Sequence, residues 1–361
     1  MDSKTIGSRY KIIQPLCEGG FGTTYLAEDI QSPHNQQCVV KQLHSDAEDP
    51  EFLAIARRMF IKEAQTLAKL GKHAQIPHLL AYFEEEGEFY LVQQYIRGAT
   101  LTHELTEDFE DSGKGDRQWS EVEVIELLQD LLQILDFVHQ NGVIHRDVKP
   151  DNLIRRTLDG KLVLVDFGTV KEVMLTQYKG ISSTVSVGTQ GYMPNEQARG
   201  KPRFASDIYA AGMIAIQALT GVFPLDLPED RQGEIIWQDR AKCSPLLGEI
   251  VSKMVRYHFK DRYHSAREIL TNLAIAKERL ANGLGQDTTG IVNSQSRTTQ
   301  GNAERKQWEK PRHSRSSTHK TRRNKFIPIA IGTLVLLTGV AGGVYLLNSD
   351  FRLPIEFERR E

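Results

Sequence analysis

Hydrophobic and polar positions alternate with a short period along the first hundred residues. Four runs rich in Val, Ile, Tyr and Thr, separated by turn-forming residues, predict β-strands at residues 10–16, 24–29, 37–43 and 89–95. A helix is predicted between the last two runs, because apolar residues recur there at helical spacing: Phe52, Ile55, Met59, Phe60, Ala64 and Leu67. This order indicates a small β-rich lobe that contains a helix.

From residue 120 to residue 282 the pattern is mostly helical. Ser120 and Glu123 form a capping box, which predicts the start of a helix. The apolar stripe of this helix consists of Val122, Ile125, Leu128, Leu132, Leu135 and Val138. Residues 206–219 are apolar nearly all round and predict a buried helix that ends at Gly221. A β-rich lobe followed by a larger helical lobe predicts a bilobal α+β fold with a cleft between the lobes.

The C-terminal part of the chain changes character twice. Residues 283–325 are rich in Ser, Thr, Asn, Gln and Arg, and they predict a disordered linker because they hold too few apolar side chains to form a core. Residues 326–347 contain no charge, and a helix of that length spans the ~30 Å hydrocarbon layer of a bilayer. Basic residues directly precede this segment, so the positive-inside rule places residues 1–325, including the folded domain at 1–282, in the cytoplasm and a short tail at residues 348–361 outside. Residues 1–11 hold no apolar run, so no cleaved signal peptide is expected.

Composition and charge narrow the function classes. The chain of 361 residues is 40% hydrophobic and 25% charged, which excludes a wholly disordered, collagen-like or coiled-coil protein. Its three cysteines form no CxxC pair, so neither a disulfide framework nor a zinc site is expected. Ten Lys and Arg against three Asp and Glu make residues 283–325 basic, whereas residues 1–282 are acidic. This asymmetry argues against a nucleic-acid partner for the domain.

A glycine-rich run lies between the first two predicted strands. It reads Leu16, Cys17, Glu18, Gly19, Gly20, Phe21, Gly22, Thr23, Thr24. Glycines allow backbone N–H groups to approach a phosphate chain closely, although an ordinary hairpin turn explains such a run equally well. Lys41 ends the third predicted strand and Glu63 lies on the predicted helix. Glu63 could hold the ammonium group of Lys41 against phosphate oxygens, or the two residues could be unrelated surface charges.

The segment at residues 143–154, with the sequence VIHRDVKPDNLI, decides between these alternatives. Asp166, Phe167 and Gly168 follow it, directly after an apolar strand predicted at residues 162–165. In order, spacing and residue type, the chain resembles the eukaryotic-type (Hanks-type) protein kinases over about residues 10–275. The run GGFGTTYLAED, together with the Gln after Glu196, resembles bacterial and especially cyanobacterial members.

The resemblance implies a serine/threonine protein kinase that uses ATP with Mg²⁺, or alternatively Mn²⁺. Asp147 would accept the proton of the substrate hydroxyl, and Lys149 would neutralise the γ-phosphate in the pattern of Ser/Thr kinases. Asn152 and Asp166 would supply oxygen ligands to the metal ion.

The remaining implied roles concern the nucleotide and the support of the site. Lys41, held by Glu63, would contact the α- and β-phosphates below the glycine-rich run. The backbone from Gln94 to Ile96 would receive adenine. Two supports complete the implied set: an ion pair of Glu196 with Arg262, and Asp207 bracing the catalytic loop.

The resemblance implies proteins with Ser/Thr acceptors as partners and the chain itself as a substrate of autophosphorylation, and the uncharged run at residues 326–347 adds a membrane. The sequence leaves open whether the protein forms a dimer. The implied setting is membrane-associated signalling.

Three positions depart from the family pattern. Cys17 replaces the first glycine of the run, and we expect a small buried thiol that lowers nucleotide affinity, with a redox-sensitive thiol as the alternative. Val39 stands where the family usually has Ala, and Asn195 replaces a Pro. The departures at Cys17 and Asn195 keep open a pseudokinase scaffold that binds nucleotide without efficient phosphotransfer. A small-molecule kinase of similar fold is a further alternative.

Overall fold

The first part of the chain folds into an antiparallel sheet with a long helix against it. This computed structural model describes residues 4–19, 22–43, 50–106, 118–167 and 191–282. Within these ranges the sheet consists of β1 (Thr5–Ile6), β2 (Tyr10–Gly19), β3 (Gly22–Asp29), β4 (Gln36–Leu43), β5 (Leu79–Glu85) and β6 (Glu88–Gln94). Their order in the sheet is β1-β2-β3-β4-β6-β5. Helix α1 (Pro50–Leu70) packs against β5 and β6.

The four predicted strands and the predicted helix are confirmed, with ends shifted by up to three residues. Two strands of this sheet were not predicted from the sequence. β1 is only two residues long, and β5 is an edge strand that runs directly into an acidic turn. β1 is too short to show a pattern, whereas β5 carries the apolar run LLAYF, a strand signal that the sequence prediction missed.

Alternate residues of β4 point to opposite faces of the sheet. Cys38 and Val40 are buried in a cluster that the β1–β2 hairpin covers through Ile6 and Tyr10. Lys41 lies on the other face, beside Thr24 of β3, which is its cross-strand partner. Strand alternation therefore aims the lysine away from the β1–β2 hairpin.

The second part of the chain is mostly helical. Its helices are α2 (Leu101–Thr106), α3 (Glu121–Gln140), α4 (Asn195–Ala198), α5 (Phe204–Thr220), α6 (Pro245–Met254) and α7 (Ala266–Ala281). A small antiparallel sheet joins them, in the order β7 (Gly98–Thr100), β8 (Leu153–Arg156) and β9 (Leu162–Leu164). Helix α3 packs against α5, α7 and β9, so it is the central element of this lobe. The predicted bilobal α+β architecture is confirmed.

Helix α3 begins as predicted, but its apolar stripe begins later. The Ser120 side chain accepts a hydrogen bond from Glu123 N, and the Glu123 carboxylate accepts one from Ser120 N. Val122 was expected in the stripe, yet it is 45% exposed. The first turn makes capping contacts rather than core contacts, since Glu121 also accepts a hydrogen bond from Ser244 N. The buried face starts at Val124.

Helix α5 is buried nearly all round, as predicted, and it ends at Gly221 with a left-handed backbone (φ 70°). It begins two residues earlier than expected, at Phe204. At Gly212 a Cβ would lie 2.6 Å from a Val255 side-chain carbon, so glycine lets α5 approach the end of α6 closely. This close packing fixes the helix that carries Asp207.

Several sequence predictions concern residues outside the described ranges. They include the linker at 283–325, the span at 326–347, the tail at 348–361, and Gly168 with the segment that follows it. Across the ranges that are described, no helix combines the length and the hydropathy needed to cross a membrane.

Candidate active site

Lys41, Glu63 and Asp166 meet although they come from three separate elements. Lys41 Nζ lies 2.8 Å from Asp166 Oδ1 and 3.5 Å from Glu63 Oε1. Burial disfavours the charged form of Lys41, but the two carboxylates outweigh it and raise the lysine pKa above its usual value. The ammonium group is therefore a permanent positive charge in the cleft. The alternative of two unrelated surface charges at Lys41 and Glu63 is wrong.

Asp166 reaches Lys41 through an unusual backbone conformation. It follows β9 and has φ +61°, in the left-handed region that non-glycine residues seldom adopt. Such a conformation costs about 1–3 kcal/mol and persists only where its surroundings hold it. The ion pair with Lys41 is part of those surroundings.

Asp147 is held by two side chains of its own loop. Asn152 Nδ2 donates to Asp147 O at 2.8 Å and to Asp147 Oδ2 at 2.9 Å. Lys149 Nζ lies 3.5 Å from the same Oδ2. The loop thus brings together the three residues that the sequence predicted for it.

Asp207 fixes the start of this loop from below, as predicted. Its carboxylate accepts hydrogen bonds from His145 N and Arg146 N, both at 2.9 Å, and contacts His139 Nε2 at 2.8 Å. Asp207 is 1% exposed, so these contacts are shielded from water. They hold Arg146 at φ +70°, a second left-handed backbone beside the site.

His145 contributes to the site in a way that sequence reasoning missed. Its ring is buried, and burial lowers its pKa, so it is neutral at physiological pH. Nε2 donates to Val165 O at 3.2 Å, while Nδ1 accepts from Asp147 N at 3.3 Å. Its ring also meets Phe167 edge-on, with centroids 4.7 Å apart. His145 therefore joins the loop of Asp147 to the segment of Asp166, a role that only the motif position of this histidine hinted at.

The ion pair of Glu196 with Arg262 is confirmed. Arg262 Nη1 lies 2.7 Å from Glu196 Oε1, and the Arg262 side chain is completely buried. Burial alone would raise the Glu196 pKa, but hydrogen bonding and charge from Arg262 lower it. This pair anchors α4 to the helical lobe.

The glycine-rich run forms the β2–β3 hairpin, and its members have different positions. Leu16, Cys17 and Glu18 are exposed, while Gly20 and Phe21 lie outside the described residues. Gly22 is required by packing, because a Cβ there would lie 2.0 Å from Gln42 O. Gly19, the last residue of β2, pairs with Gly22 across the hairpin.

Thr23 and Thr24 end on opposite faces of the sheet. Thr24 shares the face of Lys41, whereas Thr23 is 4% exposed and points to the other face. Of the two threonines, only Thr24 can offer its side chain to a ligand beside Lys41.

The predicted adenine-binding backbone begins at Gln94, the last residue of β6, and continues to Ile96. Gln94 N donates to His78 O at 2.9 Å, so the backbone of Gln94 can offer a ligand only its carbonyl oxygen. Ile96 is buried just beyond the strand end. Val39 is also buried, on the same face as Lys41, where it narrows the space for an adenine ring.

Cys17 is exposed, which corrects the expectation of a buried thiol. It pairs with Thr24 directly after an irregularity in the β2–β3 register, between Pro15 and Cys17. Residues 13–18 of β2 are all exposed, so no core contact covers the Cys17 side chain.

We expect Cys17→Gly to lower the KM for ATP by roughly two- to fivefold, the effect of relieving a contact worth no more than about 1 kcal/mol. Removing the side chain restores close backbone approach to phosphates. Steady-state kinetics at varied ATP measures this, with Cys243→Ala as the control because Cys243 is a free cysteine remote from the hairpin. An unchanged or higher KM in Cys17→Gly contradicts the steric explanation.

The donor set of Asn152 and Asp166 suits a hard cation. Asn152 uses its amide nitrogen on Asp147, which directs the amide oxygen away from Asp147. Asp166 contributes a carboxylate, whose Oδ1 contacts Lys41. Nowhere in the described part of the chain do three or more His, Cys, Asp or Glu side chains form a group that could hold a metal ion. An amide and a carboxylate oxygen completed by substrate phosphates is the usual arrangement for Mg²⁺.

Comparison with known proteins agrees with this geometry. The protein kinase domain family matches residues 10–274. The chain belongs to the protein kinase family. It is 45% identical over 276 residues to serine/threonine-protein kinase C of Synechocystis sp., which covers 75% of this chain and 50% of that protein. It is 42% identical over 276 residues to serine/threonine-protein kinase PknA of Nostoc sp., covering 75% of this chain and 48% of that protein.

The kinase domain is thus of the Ser/Thr type with cyanobacterial relatives, and the chain spans about half the length of the curated relatives it matches. Among solved structures, the PknI kinase domain of Mycobacterium tuberculosis superposes with a TM-score of 0.55 at 23% identity. The match covers 77% of this chain and 99% of that one, and it supports the bilobal fold.

Proposed function

We propose that this protein transfers the γ-phosphoryl group of ATP to Ser and Thr hydroxyls of proteins. One observation carries the proposal: Lys41 with Glu63 and Asp166, and Asp147 with Asn152 and Lys149, form two adjacent charged groups joined by His145. Phosphoryl transfer depends mostly on positioning and on stabilising charge, and this arrangement supplies both.

The group around Lys41 binds the nucleotide phosphates, and the group around Asp147 acts on the acceptor hydroxyl. Lys41 holds the α- and β-phosphates, because its charge is permanent and Glu63 and Asp166 limit its rotation. Asp147 accepts the hydroxyl proton of the acceptor through Oδ1, since Asn152 and Lys149 both contact Oδ2. Lys149 adds positive charge on the side of the transferred group.

Asn152 and Asp166 hold the divalent cation, for which we propose Mg²⁺, with Mn²⁺ as the alternative. When bound, the cation neutralises developing charge on phosphate oxygens. Asn152 also fixes Asp147, so the same side chain couples cation binding to the position of the base.

The purified chain incubated with labelled ATP, Mg²⁺ and a generic protein substrate tests the function. We expect label on Ser and Thr of the substrate and of the chain itself, as autophosphorylation within or between copies. Nucleotide binding without transfer indicates the pseudokinase scaffold instead. Transfer only to small metabolites indicates the small-molecule kinase.

Residues 326–347 anchor the chain in a membrane, with the kinase domain cytoplasmic and residues 348–361 outside. The uncharged run and the basic residues before it support this part of the proposal. We expect the full chain in the membrane fraction and a chain truncated after residue 325 in the soluble fraction. Equal distribution of both contradicts the anchor.

A further inference from the structure

Gln197 is a buried side chain that no role described so far requires. It lies on α4, next to Glu196, and is 4% exposed. Its Nε2 donates a hydrogen bond to the carbonyl oxygen of Arg146. Glu196 fastens the same helix to Arg262 and Ser206. Of these two neighbouring residues of α4, Glu196 therefore contacts the body of the helical lobe and Gln197 contacts the loop that carries Asp147.

The bond from Gln197 reaches the peptide unit directly before the base. The carbonyl oxygen of Arg146 and the N–H of Asp147 belong to one planar peptide group. Gln197 donates to the Arg146 oxygen of this peptide group, and Nδ1 of neutral His145 accepts from the Asp147 N–H at 3.3 Å. The peptide plane is therefore held at both ends.

The orientation of this plane sets the direction in which the Asp147 side chain leaves the backbone, and Asn152 and Lys149 then contact its carboxylate. Arg146 has φ +70°, so its conformation depends on outside contacts. Asp207 accepts a hydrogen bond from the N–H of Arg146 at 2.9 Å. This contact does not restrain rotation about the Cα–C bond of Arg146, which turns the Arg146–Asp147 peptide. Among the contacts described, the Gln197 and His145 hydrogen bonds supply that restraint.

We infer that Gln197 is a positioning residue that orients the Arg146–Asp147 peptide, and through it links α4 to the reacting carboxylate of Asp147. The inference deepens the proposed kinase function and rests on it. It assigns to Gln197 an effect on turnover rather than on nucleotide binding, because the side-chain hydrogen bond of Gln197 within the described residues goes to the loop of Asp147. The donor N–H is the essential feature, since the partner is a carbonyl oxygen.

Two substitutions separate the hydrogen bond from packing. Gln197→Glu keeps the size of the side chain but replaces the donor by a carboxylate oxygen, which repels the Arg146 carbonyl. Gln197→Ala removes both the donor and the bulk. Gln118→Ala is the matched control, because Gln118 Nε2 also donates to backbone carbonyls, those of Thr220 and Arg240, away from the catalytic loop.

The test uses the full chain, treated with phosphatase, with kcat expressed per nucleotide-binding site so that unfolded protein does not count. We expect both Gln197 variants to lose roughly 10- to 100-fold in kcat, the effect of displacing a catalytic group by a fraction of an ångström to 1 Å. The KM for ATP should stay within about twofold of wild type, and Gln118→Ala should keep wild-type kcat. A wild-type kcat in Gln197→Glu overturns the inference, as does a loss confined to KM.

Hydrogen exchange gives a second readout that needs no catalysis. We expect the Asp147 amide, in peptides covering residues 143–150, to exchange about tenfold faster in Gln197→Ala than in wild type, because the peptide plane is released at one end. Gln118→Ala should leave it unchanged. Unaltered exchange in Gln197→Ala overturns the inference even if the chain is an active kinase. If the wild-type chain is inactive but the Asp147 amide exchanges faster in Gln197→Ala, the proposed kinase function is refuted. The link from Gln197 to the Arg146–Asp147 peptide is then still supported.

Discussion

Asp147→Asn is expected to lower kcat by about 10²–10⁴-fold, the usual cost of losing a general base. The amide keeps the shape of the carboxylate and an oxygen for the hydrogen bond from Asn152, now 2.9 Å from Asp147 Oδ2. It loses the negative charge that orients the acceptor hydroxyl and takes its proton. Nucleotide affinity should remain near wild type, since Lys41, Glu63 and Asp166 are untouched.

Phosphate transfer from labelled ATP, with nucleotide binding measured separately, checks this prediction. Asp159→Asn is the control, because Asp159 pairs with Arg156 in a surface turn of the same lobe. The control should transfer phosphate at the wild-type rate. Near wild-type turnover in Asp147→Asn would falsify the role assigned to this carboxylate.

Arg262→Met is expected to lower the free energy of unfolding by about 3–5 kcal/mol, the cost of leaving a buried charge without its partner. Arg262 is completely buried and donates to both oxygens of Glu196. It also donates to the carbonyl oxygens of Ala205, Arg256 and Tyr257. Its removal leaves a largely buried carboxylate and three backbone carbonyls without their donor.

Urea unfolding of the purified chain measures this loss. Lys277→Met is the control, because Lys277 pairs with Glu126 on the surface at 3.1 Å, and exposed pairs contribute no more than about 1 kcal/mol. The double variant with Glu196→Gln and Arg262→Met should recover part of the loss, since it removes the unpaired charge. Equal losses in Arg262→Met and Lys277→Met contradict a structural role for the buried pair.

The candidate site was largely predictable from the sequence because its residues stand in short motifs. Asp147, Lys149 and Asn152 lie within six residues, so one loop brings them together. Asp166 is recognisable because an apolar strand precedes it and Phe167 follows it. The buried neutral His145 stands in the same motif, but its two hydrogen bonds depend on Val165 and on burial, which the motif alone does not reveal.

Other errors came from contacts that local pattern does not encode. Cys17 was expected to be buried because small thiols usually are, yet it lies in the stretch of β2 at residues 13–18 that is exposed throughout. Val122 fits the helical period but lies in a turn that makes capping contacts. Thr23 stands in the glycine-rich run, and strand alternation turns it away from Lys41.

By itself the sequence determined four strands of the first sheet, strand β9, helices α1, α3 and α5, the capping box at Ser120 and the identity of the charged groups, because periodicity and short motifs act over a few neighbouring residues. Only the tertiary structure decided which distant residues meet. Lys41 and Asp166 are 125 positions apart, and their ion pair exists because packing aligns β4 with the end of β9. The left-handed backbone at Arg146 persists because Asp207 of α5 holds its N–H and Gln197 of α4 its carbonyl. Such conformations are unfavourable locally, so they form only where a folded lobe supplies the partners that stabilise them.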